Sequence, residues 1–167
     1  MGLREQKKAA RRRAILDAGR TAMLEEGYER TSVERIVAQV GIARGTFYLY
    51  FPDKSALFST LLEELYAPFV HALKSHANAL AAAATTQQQQ LLYLQMSLGL
   101  AQVLERTRAT LPLHFQHARA PGTSGTLCRE WLTQVEDTAI TILEDAQSRG
   151  LVRHHDSAAV ALAIVGA

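Results

Sequence analysis

The sequence predicts an all-α protein, and three observations support this fold class. No stretch of useful length alternates apolar and polar residues with the period of two that a half-buried strand requires. Leu, Ala, Gln, Glu and Arg, which favour helices, dominate the 167 residues. The segment from Thr31 to Lys54, TSVERIVAQVGIARGTFYLYFPDK, carries the capping residues and the tight turn of a helix–turn–helix unit.

A first helix is predicted over residues 8–26, because Gly27 ends it and the polar residues 1–9 are expected to fray. The first twenty residues hold seven basic and two acidic groups, whereas the whole chain has a net charge of +2. Arg11–Arg13 stand in the first turns, where the helix dipole disfavours cations, so phosphate is an expected partner. A solvated basic tail is the common alternative.

The second helix is predicted to begin at Thr31 or Ser32, with Glu34 completing a capping box, and to end at Gly41. Four apolar residues lie on one face of this helix: Val33, Ile36, Val37 and Val40.

The third helix is predicted over residues 43–51, with Phe47 and Phe51 directed inward. This leaves four polar or aromatic side chains outward: Arg44, Thr46, Tyr48 and Tyr50. Arg can bond guanine, Thr can meet a base edge, and Tyr hydroxyls can reach phosphates, so the helix suits a DNA major groove. Spacing alone is equally consistent with a helical hairpin whose aromatics are all core.

A long helix is predicted from Lys54, with Asp53 as its cap and Pro68 kinking or breaking it. Thr86 and Gln89 can form a capping box for the next helix, whose nearly continuous apolar surface predicts burial. Two more helices follow, over residues 113–119 and 126–149, with a loop at residues 120–125 between them. A last segment is predicted over residues 157–167.

Cys128 is the single cysteine, so no disulfide can form within the chain, and a reducing cytoplasmic location is expected. No apolar run is long enough for a signal peptide or a membrane span. Six histidines raise the question of a metal, but no carboxylate or cysteine completes a ligand set, so no metal, cofactor or catalytic site is predicted.

The segment from Ile15 to Phe58 resembles the DNA-binding domain of TetR/AcrR-family transcriptional regulators. The residues that carry this resemblance are Thr31-Ser32-Val33, Ile36, Gly41-Ile42, Gly45-Thr46-Phe47-Tyr48, Tyr50-Phe51, Lys54 and Leu57-Phe58. It implies a three-helix DNA-binding head at residues 1–54 and a helical-bundle body for effector binding and dimerisation at 55–167. A further helix usually follows in the family, so the body is expected to be incomplete at its C-terminal end.

The resemblance implies operator contacts by eight residues of the head: Thr31, Ser32, Arg44, Gly45, Thr46, Tyr48, Tyr50 and Lys54. Arg44 is the expected base reader, and Lys54 is the expected phosphate anchor. Six large side chains are candidates for an effector pocket in the body: Tyr66, Phe69, Tyr93, Met96, Phe115 and Trp131.

The resemblance thus predicts a homodimeric transcriptional regulator that binds a palindromic double-stranded operator and is released by a small-molecule effector. It is expected to act as a repressor. Two alternatives remain open at this point. One is a helical small-molecule or metal sensor without operator binding, and the more distant one is a small enzyme that uses histidine or Cys128. Steeply salt-dependent DNA binding distinguishes the regulator from both alternatives.

Overall fold

A computed structural model describes residues 2–83, 85–150 and 153–165 of the chain, and these residues form eight α-helices and no strand. The predicted all-α fold class is therefore confirmed. The helices are α1 (Leu3–Glu26), α2 (Val33–Val40), α3 (Arg44–Tyr48), α4 (Lys54–Ala82), α5 (Thr86–Thr107), α6 (Leu111–His117), α7 (Thr123–Ser148) and α8 (Ser157–Val165). Among the described helices, none combines the length and the apolarity needed to cross a membrane.

The chain divides into two compact units. The first contains the chain up to Glu64 together with Ala109–Cys128, and the second contains Leu65–Arg108 and the chain from Arg129 onward. Helices α4 and α7 each begin in the first unit and continue into the second. The predicted domains, a DNA-binding head at residues 1–54 and an effector-binding body at residues 55–167, stay a prediction.

The first unit is built around the apolar faces of α1, α2, α3, the first turns of α4, and α6. Its fully buried large side chains are Ile15, Leu16, Met23, Ile36, Phe47, Phe51, Leu57, Phe58, Leu61, Leu62 and Leu113. Gly19 lets α1 and α4 approach closely, since a Cβ there would lie 2.6 Å from a terminal carbon of Leu57. This core fixes the outer surface of α3.

The N-terminal helix begins at Leu3, so the prediction that residues 1–9 fray is wrong for the described residues 3–9. Ser32, not Thr31, caps α2, because its hydroxyl accepts the Arg35 N–H at 3.1 Å. The Thr31 hydroxyl instead donates to the Gly27 carbonyl at 2.9 Å. The predicted Thr31–Glu34 capping box is therefore wrong.

The long helix α4 runs through Pro68 to Ala82, so the proline does not break it, and the kink that was the other predicted outcome stays a prediction. Asp53 caps this helix as predicted, because its carboxylate accepts the Ala56 N–H at 2.7 Å. The capping box of α5 is made by Thr85 and Gln88, one residue earlier than predicted.

Helix α5 is not buried all round. Its outer leucines Leu91, Leu94 and Leu98 are 55, 58 and 59% exposed, and Val103 lies on the buried side. The prediction of a fully buried helix is wrong for the chain as described, because α5 packs along one side only. Helix α7 begins at Thr123, so the predicted loop over residues 120–125 is only half as long.

Candidate nucleic-acid interface

Helices α2 and α3 are joined by a tight turn that Gly41 makes possible. Gly41 has a φ of 70°, a left-handed conformation that glycine adopts without strain. The N–H groups of Gly41 and Ile42 donate to the carbonyls of Ala38 and Val37, which satisfies the end of α2 as in a Schellman-type cap. Phe47 then anchors α3 inward, so the opposite side of this short helix faces solvent.

Arg44 lies on that outer side and is held in place before any ligand binds. Its Nη1 lies 2.6 Å from Oε1 of Glu34 on α2, and its Nε and Nη2 donate to the Tyr48 hydroxyl at 3.3 and 3.2 Å. The Tyr48 hydroxyl and the Glu34 charge raise the pKa of Arg44. The guanidinium is thus a permanent cation with a defined direction on the exposed face of α3.

The other predicted contact residues of α3 differ in exposure. Tyr48 is 43% exposed and Gly45 is open, with no atom within 4 Å of the position a Cβ would take. Thr46 and Tyr50 are half-buried. The outward direction predicted for the helix face is therefore clear for Arg44 and Tyr48 and partial for the other two, and their DNA contacts stay predictions.

At the start of α2, Thr31 and Ser32 have separate environments. Thr31 is 2% exposed and its hydroxyl already donates to the Gly27 carbonyl, so the hydroxyl has a structural role here, and the phosphate contact by Thr31 stays a prediction. Ser32 is exposed and keeps its place at the helix N-terminus, where backbone N–H groups favour an anion.

Lys54 is engaged in the interior of the head rather than directed freely outward. Its ammonium donates to the carbonyls of Tyr28, Thr31 and Glu29 at 2.6, 2.9 and 3.3 Å, and it lies 4.2 Å from the centre of the Tyr28 ring. Burial lowers the pKa of Lys54. Since an ammonium has three protons, all three have an acceptor, and a phosphate contact by Lys54 would require it to exchange one of them.

Glu34 also belongs to this surface, although the sequence pattern did not predict it there. Its position in the first turn of α2 suggested a capping role, whereas its carboxylate reaches across the turn to Arg44. The available signal was that Glu34 is the one acidic side chain in α2, the helix that precedes the basic start of α3.

The predicted effector-pocket residues are distributed over both units. In the second unit, Tyr66 is buried and stacks on Trp131 with ring centres 5.9 Å apart and an interplanar angle of 14°, while Phe69 and Met96 are partly buried. Phe115 is 75% exposed and belongs to α6 in the first unit, so its predicted place in a body pocket is wrong. The Tyr93 side chain lies outside the described residues.

A groove of about 470 Å³ does occur in the second unit, between Lys74 on α4 and one face of α7. The α7 residues that line it are Glu130, Thr133, Gln134, Asp137, Thr138, Thr141 and Ile142. None of the predicted pocket residues is among them. Within the part of the chain that the structure describes, no three His, Cys, Asp or Glu side chains come together as metal ligands would.

The head matches a known sequence family. Residues 15–61 match the family described as "Bacterial regulatory proteins, tetR family". An HTH-type transcriptional repressor of Mycobacterium tuberculosis is 45% identical over 56 residues, which are 34% of this chain and 30% of that protein. The chain therefore covers less than a third of this relative's length.

Solved structures match over most of the chain. The Bacillus subtilis transcriptional regulator FadR, in complex with stearoyl-CoA, has a TM-score of 0.63 and 21% identity, over 92% of this chain and 80% of that one. SmeT in complex with triclosan has a TM-score of 0.69 and 23% identity, over 91% of this chain and 73% of that one. At these identities the similarity establishes the fold.

Proposed function

Because the chain belongs to the TetR family of bacterial regulatory proteins, we propose that it represses transcription by binding a palindromic operator as a homodimer, and that a small-molecule effector releases it. The observation that supports DNA binding is the outer face of α3. There, a pre-oriented guanidinium and a tyrosine hydroxyl lie side by side on a helix that Phe47 anchors from behind.

Arg44 reads a base by exchanging its protein partner for guanine. A guanidinium donates in parallel to guanine O6 and N7, and one such contact contributes about 1–3 kcal/mol of discrimination. Both side chains of the Arg44–Glu34 pair are exposed, Arg44 to 62% and Glu34 to 58%. Exposed ion pairs contribute about 0–1 kcal/mol, which is less than the contribution of the base contact, so breaking the Glu34 pair to bind guanine is favourable. Tyr48 then reaches a phosphate or stays with Arg44.

A two-fold symmetric dimer would place two α3 helices in successive major grooves. The expected separation is about 34 Å, one helical turn of DNA, or a multiple of it. The operator should therefore be a palindrome whose half-sites each contain a guanine for Arg44.

The effector is proposed to bind the second unit and to shift α4, which changes the separation of the two recognition helices. FadR of Bacillus subtilis with stearoyl-CoA and SmeT with triclosan are fold relatives that hold organic ligands. The effector releases DNA only if it prefers the released state, with a coupling of typically about 1–3 kcal/mol. Pro68 lies within α4, so a Pro68→Ala variant with unchanged coupling would argue against α4 as the lever.

The operator test is selection of bound fragments from random double-stranded DNA, followed by titration of the selected site at several salt concentrations. We expect an enriched palindrome and an affinity that falls steeply with salt. The Arg44→Ala variant should bind the selected site more weakly, by a factor of about 10–100, and should no longer distinguish the base at one position of each half-site. A chain that enriches no sequence would be a sensor without operator binding.

A further inference from the structure

Four cations of α1 form a stripe along one face of the helix. Arg4, Lys7, Lys8 and Arg11 are spaced i, i+3, i+4 and i+7, so their side chains lie one above another. All four are exposed, and the ion pairs of the described residues include none of them. The stripe is therefore a local excess of positive charge on a regular helix.

This stripe continues the face with which α1 enters the core. One turn beyond Arg11 on the same face comes Ile15, and Ala18 follows, both buried in the first unit. The described residues before Ile15 are exposed, so the first three turns of α1 extend past the core. A helix face that packs on protein would stay apolar over these first three turns, whereas this face becomes cationic.

Opposite the stripe lies the turn that follows α3. An open groove of about 490 Å³ is lined by the four cations, by Glu5, and by Leu49 and Tyr50. Leu49 is 80% exposed and directly follows α3, and Tyr50 comes next in the chain. The groove thus adjoins the C-terminal end of α3, and Glu5 is the single acidic side chain that lines it.

The neighbouring arginines of α1 are used differently. The Arg12 guanidinium lies 4.9 Å from the centre of the Phe51 ring. Arg13 bonds both carboxylate oxygens of Glu64 at 3.1 and 3.0 Å and pairs with Asp17. Of the three consecutive arginines, only Arg11 faces the groove.

We propose that this groove is a second DNA-contact site, which binds the phosphodiester backbone beside the bases read by α3. The proposal rests on operator binding as proposed above and extends its footprint to α1. Charge complementarity favours a polyanion, and Tyr50 places that polyanion next to the recognition face. A lipid surface is disfavoured, because a membrane-binding helix shows an apolar stripe beside its cations, whereas the exposed large apolar side chains on α1 and in the groove are only Leu3, at the first position of α1, and Leu49.

The test is the salt dependence of operator binding by a variant with four substitutions: Arg4→Gln, Lys7→Gln, Lys8→Gln and Arg11→Gln. Glutamine keeps helix propensity, and far-UV circular dichroism verifies that α1 remains folded. The matched control removes four exposed arginines elsewhere: Arg106→Gln, Arg108→Gln, Arg119→Gln and Arg153→Gln. Both variants lose the same net charge, so any difference between them reports position.

For two to four lost phosphate contacts, the slope of log K against log salt should fall by about two to four, and affinity at 0.1 M salt by about 50-fold or more. The ratio of operator to scrambled-site affinity should stay within about twofold, since phosphate contacts carry no sequence information. The control variant should keep the wild-type slope.

An unchanged slope in the stripe variant, while wild type still prefers its operator, would overturn the second site and leave the proposed function intact. Loss of the slope in the control variant to the same degree would also overturn it, because net charge alone would then explain the effect. A wild-type chain with no preferred site would instead refute the proposed function.

Discussion

The Lys54 ammonium is expected to stabilise the head, and replacing it by methionine tests this directly. Lys54→Met keeps the length of the side chain and removes the bonds to the carbonyls of Tyr28 and Thr31 at 2.6 and 2.9 Å. Hydrogen bonds to charged groups contribute about 1.5–3 kcal/mol each, and water can reach this half-buried site and replace part of them. We expect the free energy of unfolding to fall by about 2–3 kcal/mol.

The measurement is urea unfolding followed by far-UV circular dichroism, with Lys74→Met as the control. Lys74 is exposed in the second unit, so the same chemical change there should alter the free energy of unfolding by less than about 0.5 kcal/mol. The carbonyls that Lys54 bonds lie in the connection from α1 to α2, so the loss should appear in the unfolding of the first unit.

DNA titration separates the structural role of Lys54 from the phosphate contact that the sequence suggested. A lysine that binds phosphate contributes about 0.9 to the salt slope, and its removal leaves stability unchanged. If Lys54→Met unfolds at the same urea concentration as wild type while the slope falls by about one, the ammonium is a phosphate anchor and the structural reasoning is refuted.

Three further predictions follow from single contacts. Glu34→Gln frees Arg44 and removes a negative charge from the DNA-facing surface, so binding to scrambled DNA should strengthen by about two- to fivefold in a fluorescence anisotropy titration; an unchanged affinity would contradict this. Ser32→Ala removes the cap of α2 and should cost about 1 kcal/mol in urea unfolding, whereas Ser59→Ala, inside α4, should not. Burial lowers the pKa of His117, so the unfolded chain takes up the proton first as the pH falls. The free energy of unfolding should then decrease below about pH 6.5, by up to about 1.4 kcal/mol per pH unit, and this decrease should shrink in His117→Gln.

Local patterns predicted the helix–turn–helix unit well, because its determinants are local. Gly41 ends α2 through its own backbone conformation, and Phe47 and Phe51 are buried at the spacing that a helical turn requires. The partners of Lys54 could not be predicted in this way. Their carbonyls precede it by 23 to 26 residues, and no side-chain identity marks a backbone oxygen as an acceptor.

The helical body gives a second example of packing that local sequence patterns do not predict. An apolar surface all round α5 predicted burial, but the pattern does not say which neighbour covers each side, and the outer leucines are exposed in the described chain. Phe115 was assigned to a body pocket because large apolar residues line cavities, yet α6 belongs to the first unit. Side-chain type indicates how much surface a residue should bury, and only the packing shows against what.

The basic residues of the head divide into three groups with different physical consequences. Lys54 and Arg13 hold parts of the first unit together, so their substitution should act on stability. Arg44 is exposed and oriented, so its substitution should act on sequence preference. The stripe that includes Arg11 has neither kind of partner, so its substitution should act on salt dependence alone. Because stability, sequence preference and salt slope are independent measurements, each cation can be assigned to its group without a structure of the DNA complex.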